Sequence, residues 1–208
     1  MNNRQTKTSI CNKALDLIGE DNINSMDDET SLTARVCKRH FDDALSATLE
    51  EGMWPTATVE EPLVRIYDEE YSEEQKYVYA IPANCVLITR IFRKEQRKEA
   101  KQYHNDWDIR YIPSKLNTYI ISNIEKDGYI EYVRITDNMR IFPTTFVDCL
   151  VADLASRICT PLKKDLQSAI QMKQYAEALK SKARMKAYNE DGKQKLNWVD
   201  PLTSSRSK

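Results

Sequence analysis

The sequence PTTFVDCLVADLASRICTPL, residues 143–162, carries an apolar side chain at every fourth position, namely Phe146, Leu150, Leu154 and Ile158. This recurrence places the four side chains on one face of a helix. Proline is favoured in the first turn of a helix and disfavoured in its interior. We therefore predict an amphipathic helix that opens at Pro143, ends at Thr160-Pro161 and buries its apolar face in a core.

A second helix is predicted directly after the first, from Leu162 to about Tyr188. Most residues of this segment are good helix formers, and its apolar stripe comprises Leu166, Ile170, Ala176, Leu179 and Ala183. The stretch that follows, NEDGKQKLNWVDPLTSSRSK, is polar and shows no apolar period. We predict that residues 189–208 form a C-terminal tail that is extended or disordered when the protein is alone.

Two more helices are predicted near the amino terminus. The first is marked by apolar residues at helical spacing before Gly19, namely Ile10, Ala14, Leu17 and Ile18. The second is longer and ends at Gly52 and Trp54-Pro55; its apolar residues are Leu32, Val36, Phe41, Leu45 and Leu49. A glycine after the last periodic residue and a proline just beyond it are typical of helix ends.

Between Pro55 and Pro143 the pattern changes from helical to strand-like. Residues 77–81 alternate, and CVLITRIF at 85–92 is almost continuously apolar and β-branched, which is typical of a central strand. Further strands are predicted at 109–112, 118–124 and 129–135. Asp127-Gly128 supplies a tight connection between the last two. The middle of the chain is therefore predicted to be an antiparallel sheet made of hairpins.

The order of these elements predicts an α+β fold. Neither helix pair can bury a full apolar stripe alone, so the two pairs are expected to pack together as a four-helix bundle. We predict a helical hairpin (residues 1–54), an inserted antiparallel β module (residues 55–142), a second helical hairpin (residues 143–188) and an extended C-terminal tail (residues 189–208).

Composition excludes several classes of function. The chain has 208 residues, with 31 Lys and Arg against 32 Asp and Glu, so a generally basic nucleic-acid-binding surface is excluded. Its 4 glycines fit neither of the common glycine-rich phosphate-binding motifs. No apolar run approaches the roughly 20 residues of a membrane helix, and the polar start is not a signal peptide. We expect a cytosol-like compartment.

Few residues suggest catalysis or metal binding. The five cysteines include no C-x-x-C pair, which favours reduced core thiols over a zinc site. His40 and His104 each have aspartates nearby but lack metal-binding spacing, so a helix-surface histidine and a turn-forming polar patch are the favoured interpretations. No nucleophile has a recognisable local frame. We predict no enzymatic activity, no metal and no cofactor.

Charge is distributed unevenly along the chain. Residues 60–74 hold seven acidic side chains and one basic one, whereas residues 157–186 hold eight basic and two acidic ones. Two solvated faces would explain this pattern, and so would complementary surfaces through which identical subunits meet. The residues of these hypothetical charged subunit surfaces are Glu69, Glu70, Glu73, Glu74, Lys173, Lys180, Lys182 and Arg184.

Three segments together resemble the head-to-tail adaptor proteins of short-tailed bacteriophages, also called tail tubular protein A. The first is ICNKALDLIGEDNINSMDDETSLTARVCKRHFDDALSATLEEGMW, residues 10–54. The second is YVYAIPANCVLITRIF, residues 77–92, and the third is FVDCLVADLASRICTPL, residues 146–162. Their order along the chain agrees with the α+β organisation predicted above.

The resemblance implies a structural virion protein without a cofactor. Members of the family form a ring, expected to be a dodecamer, that joins the portal protein at the capsid vertex to the tail tube or nozzle protein. Genomic double-stranded DNA passes through the lumen without sequence-specific binding. The implied location is the head–tail junction of the virion, and the host cytoplasm during assembly. No membrane is involved.

The predicted tail contains an apolar cluster made of Leu196, Trp198, Val199 and Leu202. Tryptophan is a favoured anchor of protein interfaces, so we hypothesise that Trp198 docks on the portal or on a neighbouring subunit. The alternative is that Trp198 packs against its own bundle.

Three other functions compete with the adaptor role. One is a different connector or stopper ring protein. A second is a peptidoglycan-cleaving virion hydrolase, which would need two carboxylates in one cleft. The third is a DNA-binding accessory protein, which would retard duplex DNA in a salt-dependent way.

Overall fold

The computed structural model of the chain describes residues 5–51, 54–66, 77–98 and 107–195. Within these ranges the helices are α1 (Lys7–Ile18), α2 (Leu32–Glu50), α3 (Thr144–Lys163) and α4 (Leu166–Lys195). The strands are β1 (Thr58–Pro62), β2 (Arg65–Ile66), β3 (Tyr77–Ala80), β4 (Cys85–Arg93), β5 (Trp107–Ile112), β6 (Asn117–Ser122) and β7 (Gly128–Arg134). The predicted α+β class is confirmed.

The first two helices start and stop at local signals in the sequence. At the start of α1 the Ser9 N–H donates to Thr6 Oγ1 at 3.1 Å, and the Thr6 N–H donates to Ser9 Oγ at 2.9 Å. This reciprocal capping box satisfies two helix-end donors. Helix α1 ends at Gly19, whose φ of +68° suits a residue without a Cβ. Ser31 caps α2 with a single bond, by accepting from the Ala34 N–H at 3.2 Å.

Helix α3 is the centre of the helical region. It packs against α1, α2 and α4, whereas α1 and α2 touch each other only slightly. The four periodic residues that predicted this helix are all fully buried: Phe146, Leu150, Leu154 and Ile158. The predicted end at Thr160-Pro161 is wrong, because Pro161 lies inside the last turn and the helix continues to Lys163. The turn after the proline still closes, because the Lys164 N–H donates to the Thr160 carbonyl at 2.9 Å.

Helix α4 differs from its prediction at both ends. It begins at Leu166, where the Asp165 carboxylate accepts from the Gln167 and Ser168 N–H groups at 2.9 and 3.2 Å. It continues to Lys195, so residues 189–195 of the predicted tail are helical. Extending a helix that already exists costs far less than starting one. The rest of the predicted tail, residues 196–208, lies outside the described residues.

The buried face of α4 also differs from the predicted stripe. Leu166 and Ile170 are 65% and 44% exposed. The predicted stripe is confirmed at Ala176 and Ala183, which are buried together with Ala169, and at Leu179, which packs against the helical core. Small side chains let the backbones of two helices approach closely, and large ones would hold them apart.

The strands form two antiparallel sheets where one was predicted. The first sheet has the order β1-β7-β4, and the second has the order β2-β3-β6-β5. The predicted hairpin around Asp127-Gly128 is wrong, because β6 and β7 belong to different sheets. Strand β7 pairs instead with β1, from Thr58↔Val133 to Pro62↔Tyr129, and with β4. The chain crosses between the sheets at Ile124, which is fully buried.

Two apolar cores hold these layers together. The larger one combines side chains from all four helices with Trp54, Ala57 and Val133. The smaller one lies between the sheets and comprises Tyr79, Ile91, Ile120, Ile124, Ile130 and Tyr132. Successive residues of β7 contribute to different cores, Tyr132 to the smaller and Val133 to the larger. The first sheet therefore lies between the helices and the second sheet.

Candidate interaction surfaces

Two of the predicted interaction sites lie outside the described residues. The acidic half of the charged subunit surfaces, Glu69, Glu70, Glu73 and Glu74, falls within residues 67–76. The apolar cluster of Leu196, Trp198, Val199 and Leu202 falls within residues 196–208. For both sites the sequence predictions stay predictions.

Lys180 is not on an exposed surface, in contrast to its assignment from the sequence. Its side chain is 4% exposed, and its Nζ lies 2.8 Å from Asp153 Oδ1. The second carboxylate oxygen of Asp153 accepts from Arg157 Nε at 2.6 Å. A charged side chain is tolerated inside a protein only when it is paired. Lys180 therefore joins α4 to α3 and cannot meet a partner protein.

The other predicted basic residues are exposed but do not form one surface. Lys173 and Lys182 are both exposed on α4. Their nine-residue separation corresponds to two and a half helical turns, so they lie on opposite flanks of the helix. Arg184 is engaged within the fold, because its Nη1 donates to Glu51 Oε2 at 2.7 Å and so ties α4 to the end of α2. The three side chains are therefore spread around α4.

The histidines and cysteines are placed as follows. His40 is half-buried on α2, and its pKa is held below the ordinary value mainly by burial and also by Arg39, partly opposed by Asp43. His104 lies outside the described residues. All five cysteines are free thiols, and burial raises the pKa of Cys85 and of Cys149 to about 11. Among the described residues, no group of three or more His, Cys, Asp or Glu side chains could hold a metal ion.

The described residues form an open cavity, which we call the helix-end groove. Its volume is about 490 Å³, and it lies where the ends of α1, α3 and α4 meet. It is lined by Leu17, Ile18, Cys159, Lys163, Asp165, Ser168, Gln171 and Met172. This volume is within the range of about 300–1,000 Å³ that is usual for ligand pockets.

The charged groups of the helix-end groove are satisfied by the fold itself. Lys163 Nζ donates to the Gly19 carbonyl at 2.8 Å and pairs with Glu20 Oε1 at 3.0 Å. The Asp165 carboxylate accepts from Ser168 and Gln167, and the bonds from Ser168 hold the pKa of Asp165 below its ordinary value. Lys163 is therefore paired with an opposite charge, and the Asp165 carboxylate is satisfied by hydrogen bonds.

Apolar side chains remain open to solvent in the same groove. Leu17 is 43% exposed, although its periodicity predicted a buried position. Ile18 and Met172 line the groove and also pack against the larger core. Apolar surface that is exposed to water favours an apolar occupant. Sequence reasoning missed this groove, because it is made from three helix ends that are distant along the chain.

The first sheet also carries a largely buried polar network. Strand pairing aligns Glu60, Glu131 and Arg90 across β1, β7 and β4. Arg90 Nη2 lies 3.1 Å from Glu131 Oε2 and 3.4 Å from Glu60 Oε1. Thr89 Oγ1 donates to Glu131 Oε1 at 2.8 Å. These contacts run between neighbouring strands and hold the sheet together.

Within the described ranges, every helix is too short or too polar to span a lipid bilayer. Comparison with models of known protein families finds no match, and comparison with curated protein sequences finds none either.

Proposed function

We propose that this chain is a noncatalytic structural subunit of the ring that joins the portal protein of a short-tailed bacteriophage to its tail. The ring is a dodecamer at the head–tail junction, and genomic DNA passes through its lumen. The partners are the portal protein, the tail tube or nozzle protein and further copies of this chain. Neither a cofactor nor a membrane takes part.

The observation that carries this proposal is that the amino-terminal and the carboxy-terminal helices share one core. Ile10 and Phe41 from the amino-terminal helices share the larger core with Phe146 and Ala183 from the carboxy-terminal helices. Both sheets lie between these helices in the sequence. This order agrees with the resemblance to the adaptor family, in which a β insertion interrupts a helical body.

The proposal includes a finer architecture for the assembled subunit. The α1–α2 and α3–α4 pairs act as two hairpins of a four-helix bundle, and the segment after α4 is a tail that reaches a partner. The helix lengths support a tail that extends away from the bundle. Helix α4 has 30 residues, whereas its antiparallel neighbour α3 has 20. At 1.5 Å per residue, α4 is longer by about 15 Å. The chain after Lys195 therefore starts away from the helical core.

The charge distribution supports passage of DNA without tight binding. Affinity for duplex DNA grows with the number of phosphates that basic side chains neutralise together. The chain carries a net charge of −1, and the exposed Lys173 and Lys182 lie on opposite flanks of α4. A ring lumen formed by such subunits has few sites at which several basic side chains can bind phosphates of the DNA together.

The proposal is tested by locating the chain in particles. A gold-labelled antibody against the chain is applied to purified particles, with an antibody against the major capsid protein as the control. We expect label at a single vertex, between head and tail. Label that is absent from particles, or spread over the capsid, would contradict the proposal.

A further inference from the structure

The helix-end groove has the features of a binding site for an apolar segment. Within the fold, Lys163 is paired with Glu20, and the Asp165 carboxylate accepts a hydrogen bond from the Ser168 hydroxyl. Leu17 remains 43% exposed at its edge. Filling the groove with an apolar side chain would remove this surface from water without breaking an ion pair.

The chain itself contains a segment of the matching chemistry. Leu196, Trp198 and Val199 follow directly after α4, and Leu202 lies three positions further on. A tryptophan flanked by aliphatic residues is typical of the anchors that fill pockets at the centre of interfaces. The segment is therefore a candidate occupant of the helix-end groove.

This segment cannot reach the groove of its own molecule. Met172 lines the groove at the start of α4, and Lys195 ends the helix 23 residues later. At 1.5 Å per residue these positions are about 35 Å apart. Trp198 is three residues beyond Lys195 and extends at most about 11 Å from it. Even Leu202, seven residues beyond, reaches at most about 25 Å.

We propose that the segment Leu196–Leu202 of one copy binds the helix-end groove of a second copy through Trp198. The groove lies at the beginning of α4 and the segment follows its end. The contact therefore joins unlike surfaces of two identical subunits. Contacts of this kind close into a ring when the rotation between subunits permits, and otherwise form open chains. The contact deepens the proposed function by naming the link between ring subunits, and it rests on that function only for its setting in a virion.

Two variants of the full chain test the two sides of this contact one at a time. Trp198→Ala removes the anchor and keeps the groove. Leu17→Arg blocks the groove and keeps the anchor, and arginine is well tolerated in the last turn of a helix. Leu32→Arg is the matched control, because Leu32 is 60% exposed at the start of α2 and does not line the groove. Thermal unfolding of each variant checks that it folds.

Oligomer size is then measured by sedimentation velocity at micromolar concentrations. We expect the wild type and Leu32→Arg to form rings or longer assemblies. Trp198→Ala and Leu17→Arg alone are expected to be monomers, with self-association weakened about thirtyfold, as for loss of an interface hot spot. A mixture of these two variants retains one intact anchor and one intact groove per pair. It is therefore expected to form heterodimers and nothing larger.

The mixture distinguishes binding between copies from binding within one copy. Two non-associating variants that stay monomeric when mixed would overturn the proposal, and so would a monomeric wild type. Assembly unchanged by Trp198→Ala would overturn it as well. If a variant fails to unfold cooperatively, Trp198→Phe and Leu17→Gln replace the pair, with intermediate weakening expected. None of these outcomes decides whether the chain sits at the head–tail junction, which antibody labelling of particles tests independently.

Discussion

The helical region and the two sheets are held together by different means. In the helical region α3 is surrounded by three other helices, and its core contains stacked and edge-on aromatic rings around Phe146. The sheets share a smaller core and leave large apolar side chains at their surface, with Ile109 44%, Tyr111 55% and Leu116 80% exposed. Large apolar side chains are also exposed on the helices, such as Leu32 at 60% and Leu166 at 65%, so the two regions differ in their cores and not in their surfaces. We infer that the helices supply most of the stability.

The largest effect is expected from Phe146→Ala in the helical core. The Phe146 ring stacks on Phe142 at a centroid distance of 3.9 Å and meets Trp54 edge-on at 4.8 Å. Its removal leaves a cavity and should lower the free energy of unfolding by about 3–5 kcal/mol. The control in the sheets is Tyr111→Ala, which should change it by less than about 1 kcal/mol. Urea unfolding measures both, and equal losses would refute the inferred difference.

The next effect is expected from the buried ion pair between α3 and α4. Asp153→Ala leaves the Lys180 ammonium buried without its partner, and should cost about 3 kcal/mol. The double variant Asp153→Leu, Lys180→Met removes both charges and should recover most of that loss. Chemical denaturation of the two proteins gives the comparison. A loss below about 1 kcal/mol for Asp153→Ala would show that Lys180 finds water or another partner.

A smaller effect is expected at the crossing between the sheets. A Cβ at position 128 would lie 2.7 Å from Leu63 Cδ1 and 3.0 Å from Ile124 Cγ2. Gly128→Ala should therefore cost about 1–3 kcal/mol through overpacking. The same substitution in a Leu63→Ala background has space for the added methyl group and should cost less. If the cost is the same in both backgrounds, contact with Leu63 is not its cause.

The smallest effect is expected from His40 on α2, as a dependence of stability on pH. Burial lowers the pKa of His40 in the folded state, so the unfolded state binds its proton more readily. The contribution of His40 to the free energy of unfolding is fully present above the ordinary histidine pKa of about 6.5. It is lost as the pH falls through the lowered pKa of the folded state. His40→Gln should flatten this part of the stability–pH curve. A steeper curve for the variant would mean that the shift has the opposite sign.

Local signals made the helical region more predictable than the sheets. Thr6, Ser31 and Gly19 act on neighbours within a few residues, and the period of α3 is visible in one short stretch. Strands β1 and β2 were not predicted, because Glu60, Glu61 and Pro62 show no alternation of apolar residues. Their pairing depends on partners far along the chain, such as Val133 for Thr58. The incorrect hairpin between β6 and β7 has the same cause.

The interaction surfaces were harder to predict than the fold. The burial of Lys180 depends on Asp153, which lies 27 positions earlier on another helix. A basic residue on a polar helix gives no sign of such a partner. The helix-end groove likewise exists only after α1, α3 and α4 are packed, whereas the apolar cluster around Trp198 could be identified from the sequence alone.

An electron cryomicroscopy reconstruction of the head–tail junction would test the proposed role most directly. We predict a closed ring of this chain below the portal, in which residues after Lys195 of each copy contact Leu17 of the adjacent copy. A junction that lacks this chain, or a ring whose helix-end grooves are empty of a neighbouring segment, would contradict the prediction.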